Sequence, residues 1–356
     1  MVFQPGQRLR FTTDSNLYRD VYDAEVLAVY PDRLDLQLSL HRGYLLLIPI
    51  GTIIRWQGID SRYTLTSTVL ARNTTKKSWS VTTPTSSTTH STRVIAVGSG
   101  KGGVGKTTFS INLGLALSQF QQNVVLLDAD IGMANIEVLL GLNSCLNLTN
   151  VIYGECTLRD ILTPGPGGIH IIPGSSGISA LTTLDTLQFN RIISGFGALE
   201  ADCDFLIIDT GAGLSELVLN FLGAADEIIL LTTPEPHALM DVYALTKTLR
   251  QRGLILPRLV VNRCDSPEEA HQTSQTFIKA ANQFLGIETE LLGWLPNDKA
   301  ISRSLKEQKP IFLNNKNNNF CLKIEEIASK LLGIKPNFGN ETGLRAFFRR
   351  FARGIS

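Results

Sequence analysis

Seven short apolar runs recur through the C-terminal three quarters of the chain, at 94–97, 124–127, 169–172, 205–208, 227–231, 258–261 and 291–294. Runs of this length, rich in β-branched residues and lacking strict alternation, read as strands buried on both faces. The segments between them carry apolar residues three and four apart and read as helices. This alternation predicts an α/β unit with a mostly parallel sheet and helices on both faces. Ligands on such sheets bind beyond the carboxyl ends of the strands, so the residues after each run are where chemistry is to be sought.

The first 72 residues follow a different pattern. Segments 7–13, 22–30, 33–40, 44–50 and 63–71 are β-branched, aromatic and alternating, with breaks at Pro31-Asp32, Arg42-Gly43 and Gly58-Ile59-Asp60. They predict a small all-β, barrel-like domain over 1–72. Ser and Thr then dominate 73–92 around Lys76, Lys77 and Pro84. With no apolar periodicity to bury a face, this stretch reads as a flexible linker. The α/β unit is assigned to 93–337.

The last segment, 338–356, carries one more pattern. Leu344, Phe347, Phe348, Phe351 and Ile355 fall on one helical face, and Arg345, Arg349, Arg350 and Arg353 occupy the rest. Pro336 to Asn340 should end the preceding helix (325–332) and leave the tail detached. A basic amphipathic helix is either an interfacial membrane anchor or a closing helix packed on the core. Three phenylalanines beside arginines on so short a stripe favour the anchor, with anionic membrane lipid as its partner.

Composition narrows the classes. A chain of 356 residues can hold more than one core, and a net charge of +1 gives no global attraction to nucleic acid. The longest apolar stretch, 45–54, is interrupted by Pro49 and Gly51 and is too short to span a bilayer. The N-terminal residues lack the charged and apolar regions of a signal peptide, so the expectation is a cytoplasmic protein held peripherally at the inner face of the membrane. Five cysteines, at 145, 156, 203, 264 and 321, form no CxxC pair, which argues against a disulfide framework or a zinc site.

The first apolar run of the α/β unit leads into Gly100-Lys101-Gly102-Gly103-Val104-Gly105-Lys106-Thr107-Thr108. The spacing from Gly100 through Gly105 to Lys106 and Thr107 fits a phosphate-binding loop. The glycines let successive N–H groups approach phosphate oxygens, Lys106 supplies a point charge, and the Thr107 hydroxyl suits Mg²⁺. Lys101 is not required by that chemistry. Two further runs end in carboxylates, at Asp128-Ala129-Asp130 and at Asp209-Thr210-Gly211-Ala212-Gly213. Asp128 and Asp209 are candidate magnesium groups, or else caps of the helices that follow.

These motifs, with 128–141, Asp209 to Ser215 and Thr233-Pro234-Glu235-Pro236-His237, resemble the MinD/ParA ATPases over 93–335, and within them the flagellar-number regulators of the FlhG/FleN/YlxH group. The resemblance implies a MinD-like P-loop fold that binds ATP and Mg²⁺ and hydrolyses ATP slowly as an ATP-bound homodimer. In the family the lysine matching Lys101 reaches the partner subunit's phosphates. Asp130 matches the carboxylate that orients the attacking water, Asp128 the outer magnesium shell and Asp209 the Walker B position. Asn262, Arg263 and Pro296 match the adenine-contacting region, although Asn262 also reads as a turn residue after a strand. Flagellar assembly proteins are the implied partners. Division-site regulation and DNA partitioning are alternative roles, and a non-hydrolysing ATP-binding adaptor is a further one; the charge balance disfavours DNA.

The N-terminal segment more loosely resembles the PilZN barrel of flagellar-brake proteins, through Pro5 to Leu9, Tyr22 to Val26, Asp32 to Leu36, Leu46 to Thr52 and Tyr63 to Leu70. The arginine and acidic-Ser-Gly motifs that bind cyclic di-GMP in the adjoining PilZ domain are not convincingly present, so that ligand is disfavoured and protein docking is the better inference. The barrel stands where FlhG proteins carry a short FlhF-activating helix, which leaves an FlhF-type GTPase partner open.

Overall fold

The computed structural model describes residues 3–13, 21–30, 32–38, 48, 50, 52–57, 63–73, 77–82, 85–88, 92–130, 135–174, 177–181, 184–200, 202–333 and 343–355. The chain divides into two compact units, Met1–His90 and Ser91–Ser356.

The first unit is built from β1 (Arg8–Thr13), β2 (Tyr22–Val29), β3 (Arg33–Leu38), β4 (Ile53–Gln57), β5 (Tyr63–Asn73), β6 (Ser78–Thr82) and β7 (Thr85–Thr88). All pair antiparallel in the order β4-β1-β2-β3-β6-β5-β7, and a β4–β5 pairing closes the first six into a barrel. Closure needs curvature, and bulges at Val26/Ala28 and Val69/Ala71 provide it. Alternate residues point inward, and Phe11, fully buried, sits 5.6 Å from Tyr22, 5.7 Å from Trp56 and 6.3 Å from Trp79. The Trp56 indole N–H donates to Ser67 Oγ at 3.0 Å, so the polar edge of the ring is satisfied inside the core.

The flexible linker expected over 73–92 is therefore corrected. β6 and β7 lie within it, and Trp79 and Val81 bury their side chains in the barrel. Thr is a good strand residue and Ser is tolerated where every second position is apolar, and the Trp79-x-Val81 alternation was hidden by the surrounding hydroxyls. The run 44–50 falls mostly outside the described residues.

The second unit alternates as expected. Its strands are β8 (Arg93–Gly98), β9 (Val124–Ala129), β10 (Thr163–Pro164), β11 (His170–Ile172), β12 (Phe205–Thr210), β13 (Glu227–Thr232), β14 (Arg258–Cys264) and β15 (Leu291–Pro296). Its helices are α1 (Lys106–Gln119), α2 (Asn135–Leu140), α3 (Leu148–Tyr153), α4 (Gly177–Ala180), α5 (Thr186–Leu199), α6 (Glu216–Ala224), α7 (Pro236–Gln251), α8 (Pro267–Ala280), α9 (Lys299–Lys306), α10 (Ile311–Asn314), α11 (Asn319–Gly333) and α12 (Leu344–Ile355). The sheet order is β10-β11-β9-β12-β8-β13-β14-β15, parallel except for the short edge strand β10. Successive residues of β8, β9, β12 and β13 enter opposite cores, one holding Val94, Leu127 and Ile208, the other Ile95, Leu126 and Ile207. This two-sided burial explains the continuous apolar runs.

At the amino ends of the strands, Glu227 at the start of β13 is shared by Arg93 of β8 and Arg258 of β14. Arg93 also donates to the Leu331 carbonyl at 2.6 Å, which ties α11 to the same point.

The detached tail is likewise corrected. α12 packs against α5 and α6, with Leu344, Phe347, Phe348 and Phe351 at no more than 2 % exposure in the core. Phe348 lies 4.1 Å from Phe196, and Phe351 lies 4.6 Å from Phe221. Arg350 donates to the Ala224 carbonyl and to Asp226 Oδ1, both at 2.7 Å, while Arg349 is exposed. An apolar stripe states only that a helix must cover something, and the hydrophobic groove between α5 and α6 serves as well as lipid. The Pro336–Asn340 break lies outside the described residues.

Candidate functional site

α1 starts directly after the glycine-rich turn that follows β8. Its N-cap, Gly105, adopts φ 98°, and no side chain caps the helix. The first N–H groups of α1 thus have no side-chain acceptor, and a phosphate satisfies them. Only glycine fits at 105, since a Cβ there would lie 2.5 Å from Asn262 Nδ2 in a left-handed backbone. A Cβ on Gly100 would meet the Asp241 backbone at 2.2 Å, so α7 is packed hard against the loop.

The two lysines of the loop behave differently. Lys106 is buried and donates to Ser99 Oγ at 3.0 Å. Burial lowers its pKa, while the carboxylates of Asp209 and Asp130 act in the opposite sense. Lys101 is exposed and pairs with Glu235 at 3.3 Å, at the N-terminus of α7.

Strand register brings the acidic residues together. Asp209 of β12 stands opposite Asp128 on β9 and Val97 on β8, one strand from the loop. Thr107 Oγ1 donates to Asp209 Oδ2 at 2.6 Å and Ser110 Oγ to Oδ1 at 3.1 Å. Burial pushes the Asp209 pKa up to about 6. Asp128, with no exposed surface, accepts from the backbone N–H of Ile136 at 2.9 Å and of Asp130 at 3.3 Å. Burial raises its pKa to about 7, reinforced by the nearby Asp209. Asp130 accepts from the Asn135 amide at 3.1 Å.

This donor set fits Mg²⁺, which prefers oxygen ligands and keeps several waters or phosphate oxygens. Thr107 and Asp209 would hold the ion, with Asp128 beside them. Among the described residues no group of three or more His, Cys, Asp and Glu gathers into a metal site, and an ion held here would take nucleotide or water oxygens as well. Burial penalises the charge of both Asp128 and Asp209, and a cation beside them would offset that penalty.

A cleft of about 310 Å³ opens beside the loop, lined by Gly105, Thr108, Asn262, Arg263, Pro296 and Phe320 among others. That volume lies near the lower bound of small-molecule sites, roughly 300 to 1,000 Å³. Asn262, Arg263 and Pro296 thus come together next to the phosphate loop. The Asn262 amide is already committed, donating to the Val104 carbonyl at 2.7 Å and accepting from Arg263 N–H at 2.9 Å. Its visible work is to brace the loop. Sequence reasoning missed Ile301 and Leu305 of this cleft and gave no role to Asp298, which caps α9 by accepting from the Ala300 N–H. It also missed Ser99 and Ser110, polar residues outside the motif segments, and gave no role to Asn135 although it lies within the 128–141 segment. The thiols of Cys203, Cys264 and Cys321 are pushed up to about 12 by burial and take no part.

A family model described as AAA domain matches residues 92–256. Antiactivator FleN of Pseudomonas aeruginosa is 37% identical over 243 residues, covering 68% of this chain and 87% of the relative. The chain belongs to the MinD/ParA family of P-loop ATPases. Flagellum site-determining protein YlxH of Helicobacter pylori is 32% identical over 267 residues, covering 74% of this chain and 90% of that one. Among solved structures, septum site-determining protein MinD of Pyrococcus horikoshii complexed with Mg-ADP superimposes with a TM-score of 0.54 at 25% identity, covering 67% and 96% of the two chains. A ParA family ATPase from Chlorobium tepidum, at 18% identity and TM-score 0.57, shares the fold. This MinD/ParA ATPase binds ATP with Mg²⁺ and hydrolyses it. Among the described residues no helix is long and apolar enough to cross a membrane.

Proposed function

We propose that the chain is an ATP-driven dimerising switch that regulates flagellar number or placement and cycles on and off the membrane through α12. The observation that carries the dimer is Lys101. It sits in the phosphate loop yet turns away from its own site to an exposed glutamate, available to a nucleotide held by a second copy. In that dimer Lys106 and the partner's lysine 101 offset charge on the phosphates, and Asp130 orients the attacking water. The flagellar role follows the two relatives named antiactivator and flagellum site-determining protein.

The buried tail supplies the switch. Exposing three buried phenylalanines costs roughly 5 to 9 kcal/mol, at about 1.5 to 3 each. An anionic leaflet returns about 1 kcal/mol per arginine and partial burial of the rings, a comparable sum. Docked and membrane-bound states are therefore close in free energy. α6 (Glu216–Ala224) is capped by Ser215, just after the glycine-rich loop at Asp209, and its Phe221 touches Phe351. A shift of that loop on ATP binding reaches the tail through one short helix. Two freed tails on a dimer gain on the order of 10² to 10⁴ in avidity over one. The barrel is assigned a protein-docking role.

Sedimentation of the full chain with ATP tests the dimer, since Lys101→Gln should bind nucleotide yet remain monomeric. Arg349→Glu, at an exposed position of α12, should hydrolyse ATP but bind anionic vesicles less than the wild type. Electron microscopy of a deletion strain tests the cellular role. Normal flagellation there rejects it, and a division defect instead would favour division-site control.

A further inference from the structure

We propose that Asn135 is a positioning residue for ATP hydrolysis, its side-chain amide fixing the Asp130 carboxylate in the orientation that water attack needs. The inference rests on the water-orienting role of Asp130 proposed above.

The geometry is specific. Asn135 opens α2, and its Nδ2 donates to Asp130 Oδ2 at 3.1 Å. A carboxylate only accepts, so the amide must present its nitrogen to Asp130. The other oxygen, Oδ1, points towards Gly211, 3.6 Å from where a Cβ there would stand. Asp130 is thus held between α2 and the glycine that follows the Asp209 strand. The next residue, Ile136, gives its backbone N–H to Asp128 at 2.9 Å. Two consecutive residues of α2 therefore hold the two carboxylates of the Asp-Ala-Asp turn, one through a side chain and one through the main chain.

A purely local role does not account for the contact. Capping a helix start requires a side-chain acceptor, and here the amide nitrogen reaches out to a different segment. A neutral donor also suits the task better than a lysine. It restrains the carboxylate without cancelling the charge that attracts a water proton. Asp130 lies close enough to Asp128 and Asp209 for their charges to interact, and the donor from Asn135 opposes the repulsion of ionised neighbours. A misplacement of about 1 Å costs on the order of 10²-fold in rate.

The test uses the full chain with ATP and Mg²⁺, measuring phosphate release, KM for ATP and thermal unfolding for Asn135→Ala, Asn135→Asp, Asn135→Gln and Asp130→Ala. The expected order of kcat is wild type, then Gln, then Ala, then Asp, with Ala down roughly 10- to 100-fold and KM within about twofold. Asn135→Asp is the discriminating variant. An aspartate in the first turn suits the helix dipole, so unfolding temperature holds or rises while the acceptor now repels Asp130 and kcat falls. If Asn135→Asp keeps wild-type kcat, or Asn135→Ala loses kcat only together with KM and unfolding temperature, Asn135 merely starts a helix and the proposal fails. Inactive Asp130→Ala beside fully active Asn135→Ala rejects the positioning role alone. Fully active Asp130→Ala rejects the reading of Asp130 itself, and this inference with it.

Discussion

Replacing Asp128 by Asn should stabilise the nucleotide-free ATPase unit while damaging its function. Asp128 has a pKa of about 7 in the fold against 3.8 in an unfolded chain, because burial penalises its charge. Where the folded pKa is the higher, the folded state holds a proton that the unfolded state releases, so stability falls as pH rises from about 4 to about 7 and then levels off. At pH 8 the ionised group costs roughly 4 kcal/mol, at about 1.4 kcal/mol for each tenfold change in ionisation. Asn removes that charge but has one acceptor oxygen where Asp128 uses two, for Ile136 and Asp130. An orphaned buried N–H returns about 1 to 3 kcal/mol of the gain. The net is a stabilisation of about 1 to 3 kcal/mol at pH 8, worth roughly 5 °C in unfolding temperature, which turns into a destabilisation of about 0.5 to 2.5 kcal/mol at pH 4, where the charge cost is nearly gone and the orphaned N–H remains. The assay is thermal unfolding of both proteins from pH 4.5 to 8.5 without nucleotide or Mg²⁺. Part of the slope survives in the variant, because Asp209, raised to about 6, contributes with the same sign. A variant less stable than wild type at pH 8, or one with an unchanged pH slope, would refute the reasoning.

Other variants probe separate parts of the fold. Phe348→Ala, at a site 1% exposed, should lower stability by about 3 to 5 kcal/mol in chemical denaturation if α12 closes the core. Gly105→Ala should abolish binding of a fluorescent ATP analogue while far-ultraviolet circular dichroism stays native, since the clash is confined to the loop and Asn262. Arg350→Ala leaves the buried Asp226, 4% exposed at its side chain, without its arginine. Vesicle co-sedimentation without ATP should then rise above the wild-type level, because the docked state of α12 is weakened.

Where the sequence was legible, one physical rule sufficed. Each of the seven apolar runs lies within, or within one residue of, an observed strand, because a strand buried on both faces leaves a continuous apolar signature. The phosphate loop and both carboxylate turns were legible because phosphate and Mg²⁺ chemistry tolerates few residue types. Trp79 and Val81 were lost among hydroxyls whose β propensity only barrel closure reveals. The α12 stripe was read correctly as amphipathic and assigned the wrong cover for this state, since periodicity carries no label for what it faces. Ser110 acts on Asp209 from 99 residues away, which no local pattern encodes, whereas Asn135 reaches Asp130 across five residues of a segment whose spacing alone does not say which side chains meet.

Glu227 shows how the sheet divides its labour. Its carboxylate, clasped by arginines on the flanking strands, sits at the opposite end of the sheet from the phosphate loop. In a parallel sheet a slip of one residue exchanges the two faces and would empty both cores at once. Fastening three neighbouring strands at that pole fixes their alignment where no chemistry occurs. The other pole is thereby free to hold buried carboxylates and left-handed glycines, and to rearrange with each nucleotide, without the frame beneath it losing count.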